Sequence, residues 1–205
     1  MRKLMRRVAL IGLILSMFWC GTCIADHQKL GQEVIRLHVV GASDSKEDQA
    51  VKLQVRDAVL ECLRQGIGAS GNADQAMEYI LENMDRLKAA GDCTLEKAGF
   101  QETCSVTLTE ENFPTRVYDT FSLPEGVYRS LRVTIGEGQG QNWWCVVFPE
   151  LCLSATAEEF ADAAEAGGFP DSLSGALAGE ERYQIRFFFL ELLGKLENLL
   201  CGNKM

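Results

Sequence analysis

The chain has 205 residues, of which 47% are hydrophobic and only four are proline. That length and composition suit one globular domain with a sizeable core, and they argue against disorder over most of the chain. The formal net charge of −9 argues against a nucleic-acid partner, because binding to phosphates requires clustered Lys and Arg side chains.

Residues 1–25 have the pattern of a segment that directs export. Four basic residues lie within the first seven positions, an apolar run follows, and the segment ends at Ala25. These features are typical of a secretory signal peptide and place the rest of the chain outside the cytoplasmic membrane. Residues 8–24 would form about 25 Å of helix, against a hydrocarbon core of about 30 Å. The alternative is that the segment stays uncleaved as an N-terminal membrane anchor.

Six of the eight cysteines lie beyond the export segment. An even number outside the cytoplasm permits disulfides. Cys145 and Cys152 flank the bend at Phe148-Pro149 and are the candidate pair for a small disulfide loop, although free buried thiols would suit an anaerobic host equally well. The six cysteines show no C-x-x-C spacing and the chain has only two histidines, so we expect no metal site and no cofactor.

A strand and two helices are the first elements expected after the export segment. Residues 34–40 alternate and are rich in β-branched side chains, which predicts a strand, and a turn-forming cluster follows. Ser45 and Asp48 form a capping-box pattern, so a helix should begin there. Asn72 is a favourable N-cap for a second helix, which the apolar spacing extends to Gly91.

Four further strands are predicted after these helices, each bounded by Pro or Gly. They cover residues 104–109, 115–121, 127–135 and 143–148. Consecutive strands with short connections predict antiparallel pairing. We therefore expect residues 26–153 to form a two-layer α+β domain, in which helices pack on a mainly antiparallel sheet.

The C-terminal part of the chain divides into a connection and a helix. Residues 154–181 are acidic and rich in glycine, and we expect a variable connection that is flexible over residues 167–179. Residues 182–205 contain an apolar C-terminal helix with a strong stripe on one side. The stripe consists of Ile185, Phe188, Phe189, Leu192, Leu196, Leu199 and Leu200. Phe187 and Leu190 fall on the opposite, polar side, so we expect burial on more than one side; a partner-binding or membrane-surface helix is the alternative.

The sequence shows no catalytic constellation. A Cys-His nucleophile pair needs an imidazole, and the chain offers only His27, beside the export segment, and His38, which we expect half-exposed on the first strand. Gly136–Gly140 lacks the spacing and the following helix of a phosphate-binding loop, and it predicts a hairpin connection. We therefore expect no enzyme. The alternative is a secreted cell-wall hydrolase that uses Cys145 with His38.

The segment from Gln141 to Cys152 differs most from an ordinary strand and its connection. Alternation gives one face with Trp143, Cys145 and Val147 and another with Trp144, Val146 and Phe148. Both faces are apolar, so the strand should be central in its sheet, or one of its faces meets a partner protein. The candidate partner-binding residues are Asn142, Trp143, Trp144 and Phe148, together with Asp44 in the turn after the first strand.

Several segments of the chain resemble the stage II sporulation protein R family of endospore-forming bacteria. They are Ile35-Arg-Leu-His-Val-Val40, Ser43–Gln49, Leu53–Val59, Asn112-Phe-Pro-Thr115, Leu123–Tyr128 and, the most specific of them, Gly136–Cys152. The resemblance covers residues 34–153 and the final helix. Ala42 stands where the family has Asn, Glu150 stands where it often has a second Pro, and residues 154–179 have no counterpart.

The resemblance implies a signalling protein that is made in the forespore and exported into the space between the forespore and mother-cell membranes. The implied partner is a membrane-embedded sporulation aspartic protease, which then cleaves the precursor of mother-cell sigma factor E. No small-molecule substrate is expected. Our hypothesis is that Trp143, Trp144, Phe148 and the cap around Asp44 dock on this protease. The alternatives are the cell-wall hydrolase and a membrane-attached structural protein.

Overall fold

The computed structural model describes residues 1–118, 121–149 and 169–201. Its helices are α1 (Arg2–Glu33), α2 (Lys46–Ile67), α3 (Ala73–Glu82), α4 (Met84–Lys97), α5 (Asp171–Leu177) and α6 (Gln184–Cys201), and a short 3-10 turn at Glu181–Tyr183 precedes α6. Its strands are β1 (Ile35–Val40), β2 (Cys104–Phe113), β3 (Arg116–Val117), β4 (Ser122–Leu123), β5 (Gly126–Ile135) and β6 (Asn142–Phe148).

The main sheet has the strand order β2-β5-β1-β6, and the predicted α+β class is confirmed. β5 pairs antiparallel with β2 and parallel with β1, while β1 pairs antiparallel with β6. The parallel pair differs from the predicted pairing of consecutive strands. It arises because three helices and β2 separate β1 from β5 along the chain, which is enough chain to return in the same direction. Among the described residues of the predicted strand over residues 115–121, only β3 is a strand, and it pairs with β4 in a separate small sheet.

Helices α2, α3 and α4 cover one face of the sheet and enclose the larger core. The sheet contributes Ile35, Leu37, Val39, Leu131, Val133 and Ile135 to this core, and α2 contributes Val51, Val55, Val59 and Leu63. The side chain of Ser45 accepts a hydrogen bond from the Asp48 amide at 3.0 Å, so the predicted start of α2 is confirmed. The predicted helix from Asn72 is instead two helices, because the chain bends at Asn83 between α3 and α4.

A second, smaller core lies on the opposite face of the sheet. It is formed by the end of α1, the β3-β4 hairpin, α5 and α6, and includes Leu30, Phe113, Leu123, Tyr128, Leu173, Leu177 and Leu190. The described part of the connection predicted to be flexible contains α5, and the side chains of Leu173 and Leu177 are buried there. The contact that orders α5 is tertiary, with α6 and with this core, and local sequence rules do not predict it.

The prediction for the apolar C-terminal helix is wrong about which side is buried. Helix α6 packs against the domain with the side that the sequence marked as polar. Leu190 is 0% exposed and Phe187 packs against the second core, whereas Phe188 is 60% exposed and Ile185 68%. Gly194 explains the orientation, because a Cβ there would lie 1.7 Å from the carbonyl oxygen of Glu125. This close approach requires a glycine on the inner side of α6.

Helix α1 is long and apolar enough to cross a membrane, judged by its length and composition. The helix continues without a break through Ala25, the end of the predicted export segment, to Glu33. Its last part belongs to the fold, since Cys23, Asp26 and Leu30 are buried. The molecule is therefore compatible with either an exported or a membrane-anchored protein.

Candidate functional site

Two loops pair with each other where β1 ends and β6 begins. The amide of Gly140 donates a hydrogen bond to the carbonyl of Gly41 at 2.9 Å. A Cβ at Gly140 would lie 2.3 Å from the Ser43 carbonyl oxygen, and Gly138 has a φ of 66°, so both positions favour glycine. Because β1 lies between β5 and β6, the loop Gly136–Gly140 crosses the end of β1 and is not the hairpin connection that the sequence predicted.

Asp44, in one of these paired loops, fixes the residue that immediately precedes β6. Its Oδ1 accepts a hydrogen bond from the Gln141 amide at 2.8 Å, and Lys52 Nζ donates to the Gln141 carbonyl at 2.9 Å. Burial lowers the pKa of Lys52, partly offset by the Asp44 charge. The structure thus brings the candidate residue Asp44 next to the candidate residue Asn142.

Trp143 and Trp144 lie on opposite sides of β6, and an arginine stacks on each. The guanidinium carbon of Arg56, on α2, lies 4.5 Å from the Trp143 ring centre. The guanidinium carbon of Arg116, on β3, lies 4.0 Å from the Trp144 ring centre. Trp143 remains 38% exposed. We call the group Asn142, Trp143, Trp144, Arg56 and Arg116 the β6 aromatic edge.

Strand β6 is the last strand of the main sheet among the strands that the structure describes. The prediction of a central strand is therefore wrong for this part of the chain. Phe148 is 6% exposed and packs in the larger core, at the other end of β6 from Asn142. Of the candidate partner-binding residues, Asp44, Asn142, Trp143 and Trp144 are thus brought together, and Phe148 is not.

A network of polar side chains lies on the sheet face next to Trp144. His38 Nδ1 donates to Glu111 Oε2 at 3.1 Å, because a carboxylate can only accept, and its Nε2 lies 2.8 Å from Asn142 Oδ1. Ser130 Oγ donates to Glu111 Oε2 at 2.7 Å, and Arg132 Nη1 donates to Oε1 at 2.8 Å. His38 is therefore more enclosed than the half-exposed residue that we expected.

Glu111 is a strongly perturbed carboxylate at the centre of this network. Burial alone would raise its pKa, but the hydrogen bonds from His38 and Ser130, followed by the His38 charge and the Arg132 bond, outweigh burial and lower the pKa to about 2. The ring of Trp144 stacks on His38, with ring centres 5.8 Å apart. The network therefore fixes the position of His38, and His38 in turn supports Trp144 at the edge strand.

Arg36 is buried on the same face of the sheet as this network, between aromatic rings. Its guanidinium carbon lies 4.1 Å from the Phe113 ring centre and 5.0 Å from that of Tyr128, and its Nη2 donates to the Tyr118 hydroxyl at 3.1 Å. Its Nε and Nη1 have no hydrogen-bond partner within the described ranges. Burial lowers the pKa of Arg36, because poorly solvated surroundings disfavour the charged form.

The nucleophile pair of the hydrolase alternative is not formed. Cys145 lies opposite Leu37 and Trp144 lies opposite His38, so Cys145 and His38 point to different faces of the sheet. Cys145 is also disulfide-bonded and carries no free thiol. Cys152, its candidate partner, lies outside the described residues, so this pairing stays a prediction. Ser130 is no substitute nucleophile, because it is buried and donates to Glu111 rather than to His38.

A thiol and a metal site are two further possibilities in the part of the chain that the structure describes. Burial, assisted by the Asp92 charge, raises the pKa of the free Cys104 thiol to about 11, which disfavours the reactive thiolate. Across the same residues, no three His, Cys, Asp or Glu side chains are placed to hold a metal ion. What the arrangement offers is an exposed aromatic edge for contact with another molecule.

Sequence reasoning missed Arg56, Arg116 and Glu111. The sequence did contain a signal for Glu111. If the strand predicted over residues 104–109 had been extended to residue 111, alternation would have placed Glu111 on the same face as Thr107 and Thr109. No sequence signal links the two arginines to the tryptophans, because these contacts join β6 to α2 and to β3.

Comparison with known proteins identifies the family. A family model described as stage II sporulation protein R matches residues 31–158, which include β1 to β6. The chain is also 36% identical over 121 residues to the stage II sporulation protein R of Bacillus subtilis (strain 168), over 59% of this chain and 54% of that protein. It thus spans about half the length of this curated relative. No solved structure matches the chain. The chain belongs to the stage II sporulation protein R family.

Proposed function

We propose that this chain is an exported sporulation signalling protein without catalytic activity of its own. In the space between the forespore and mother-cell membranes, it activates a membrane-embedded aspartic protease, which then processes the precursor of mother-cell sigma factor E. Membership of the stage II sporulation protein R family supports the role in sporulation. The observation that carries the docking step is the β6 aromatic edge, with a tryptophan that is 38% exposed on an edge strand of the described sheet.

Trp143 has the properties of an anchor residue in a protein interface. Arg56 stacks on its ring and limits the orientations that the side chain can adopt. An aromatic side chain that is already held in position loses little conformational entropy when a partner covers it. Anchors of this kind, once desolvated, contribute about 2 kcal/mol or more each to binding.

The charges at the β6 aromatic edge indicate which partner surface would fit. Arg56 and Arg116 flank the two tryptophans in a chain with a net charge of −9, so the edge is more positive than the protein as a whole. We therefore expect the protease to present an apolar pocket beside carboxylate or carbonyl oxygens.

The experiment is co-expression of the chain with the protease and the sigma precursor in a host that does not sporulate, followed by immunoblotting of precursor cleavage. Trp143→Ala should lower the apparent affinity for the protease about 30-fold, since 2 kcal/mol corresponds to that factor. At limiting signalling protein, cleavage should therefore be lost. A version without residues 1–25 should stay in the cytoplasm and give no cleavage.

Leu81→Ala is the matched control, because Leu81 is 58% exposed on α3, away from β6. It should leave cleavage unchanged, and both variants should keep the thermal unfolding midpoint of the parent. Cleavage that persists in the Trp143→Ala, Trp144→Ala double variant would contradict docking through this edge. Cleavage by the version without the export segment would contradict the extracytoplasmic site of action.

A further inference from the structure

Helix α1 leaves the folded domain at a definite point. From Val8 to Phe18 its apolar side chains are exposed over about 16 Å of helix, and residues 19–24 extend the apolar run to about 25 Å, close to the thickness of a hydrocarbon core. Trp19 is the first partly buried residue, and Cys23 and Asp26 are buried against the domain. The domain therefore begins to contact α1 within the outer part of the apolar run, at Trp19, a residue type that is favoured near a membrane-water interface.

Two polar contacts indicate that α6 crosses α1 next to Trp19 and does not run alongside it. Arg186 Nε donates to Asp26 Oδ2 at 2.6 Å, and His27 Nε2 lies 3.0 Å from Glu197 Oε2. Arg186 and Glu197 lie about 16 Å apart along α6, yet they contact neighbouring residues of α1. Helices that ran side by side would bring such distant residues of α6 to equally distant residues of α1. If α1 spans a bilayer, α6 therefore lies close to the membrane plane.

The exposed side of α6 carries an apolar stripe. It consists of Ile185, Phe188, Leu192, Leu196 and Leu199, each between 41% and 81% exposed. These residues recur at three- and four-residue intervals, so they form one side of the helix, opposite the buried Leu190. The neighbouring Phe189 makes an edge-to-face contact with Trp19, with ring centres 4.8 Å apart. The stripe therefore borders the place where α1 leaves the domain.

We propose that α6 is a membrane-surface helix, whose stripe is immersed in the outer part of the same bilayer that α1 crosses. The exposed apolar stretch of α1 and the stripe on α6 are adjacent at Trp19 and Phe189, so one lipid layer covers both surfaces. The charged residues of α6 balance, with Arg186 and Lys195 against Glu191 and Glu197. Apolar burial rather than attraction to anionic head groups therefore drives the contact. This proposal does not depend on the proposed function, because it concerns the isolated chain and a lipid bilayer.

Site-specific photocrosslinking in vesicles tests the proposal with the full-length chain. The photoreactive residue p-benzoylphenylalanine replaces one residue at a time: Phe188 or Leu192 on the stripe, Ile11 on the exposed part of α1, or Leu81 on α3. The chains are reconstituted into vesicles of phosphatidylcholine, alone or mixed with phosphatidylglycerol, and irradiated. Mass spectrometry of the proteolytic peptides then identifies what each position contacts.

Lipid adducts are expected at positions 188, 192 and 11 and should be absent at position 81, whose side chain is as exposed as that of Phe188. Their yield should be the same in both lipid mixtures. Crosslinks at 188 and 192 to a second copy of the chain, or lipid adducts at 11 alone, would overturn the proposal. Adducts at 81 equal to those at 188 would overturn it as well, because the lipid contact would then be nonspecific. Absence of lipid at both 11 and 188 would refute the membrane span together with the surface helix.

Discussion

The two faces of the main sheet are formed by the same strands but differ in almost every side chain. Towards α2, α3 and α4, β1 and β5 present buried aliphatic residues such as Leu37 and Leu131. Towards the opposite side the same strands present Arg36, His38 and Ser130. The first face is held by packing, which tolerates exchange among apolar residues of similar volume. The second depends on specific hydrogen bonds and ring contacts, and it leads directly to the β6 aromatic edge.

The comparison predicts the largest loss of stability on the helix-covered face. Leu37→Ala should lower the free energy of unfolding by about 3–5 kcal/mol, because Leu37 is fully buried on a central strand and its removal leaves a cavity. Urea denaturation followed by circular dichroism measures this loss. Thr107→Ala is the control, since Thr107 is exposed on β2, and it should cost at most about 1 kcal/mol. Equal losses in the two variants would contradict the distinction between the faces.

Glu111→Gln should produce the next largest effect, and its effect should depend on pH. The pKa of Glu111 is lowered from 4.5 to about 2, so the native state gains stability when this group is ionised. That contribution, about 3 kcal/mol, is fully present above pH 4.5 and is lost as the pH falls towards 2. The parent should therefore be less stable at pH 3 than at pH 6 by an amount that Glu111→Gln reduces.

Glu110→Gln is the matched control for this measurement, because Glu110 is the exposed neighbour of Glu111 on the same strand. Urea denaturation at several pH values should give the parent's pH dependence for this control. If Glu111→Gln also retained the parent's acid sensitivity, the polar network would not be the source of that sensitivity. His38 and Trp144 would then need another explanation for their fixed positions.

Sequence periodicity predicted the helix-covered face well. The apolar spacing of Val51, Val55 and Val59 defined the inner side of α2, and Ser45 defined its start, since both signals are local. The same reasoning failed for α6, where the exposed stripe is the more apolar side. Partners distant in sequence decide that orientation: Arg186 pairs with Asp26, and the inner side of the helix needs Gly194.

The candidate site was predictable only where its residues are close in sequence. Alternation along β6 correctly separated Trp143 from Trp144, and the turn after β1 contributed Asp44. Periodicity also treated Phe148 as equivalent to the tryptophans, although a register shift between Ile35 and Arg36 in the pairing of β1 with β6 breaks the alternation, and Phe148 packs in the larger core. Pairing of β1 with both β5 and β6 brings His38 to Trp144, and such long-range pairing has no local signal.

Arg36→Met should have the smallest effect, although it changes a fully buried residue. The substitution removes ring contacts that are worth about 2 kcal/mol when desolvated, and it removes the hydrogen bond to Tyr118. It also removes two buried nitrogen atoms, Nε and Nη1, which have no hydrogen-bond partners among the described residues and whose burial costs about 1–3 kcal/mol each. Since a methionine of similar length fills the space between Phe113 and Tyr128, the free energy of unfolding should stay within about 1 kcal/mol of the parent.

Arg36→Ala separates the packing of this side chain from its charge. It removes the same charge but opens a cavity between the two rings, so it should cost about 2–5 kcal/mol in the same urea experiment. If the methionine variant were as unstable as the alanine variant, the guanidinium itself would be required for stability. Its role would then resemble that of His38 and Glu111 in the neighbouring network. If only the alanine variant is unstable, the region around Arg36, Phe113 and Tyr128 is held by packing, as the helix-covered face is. Particular polar side chains would then be required on this face only near Trp144, at His38 and Glu111.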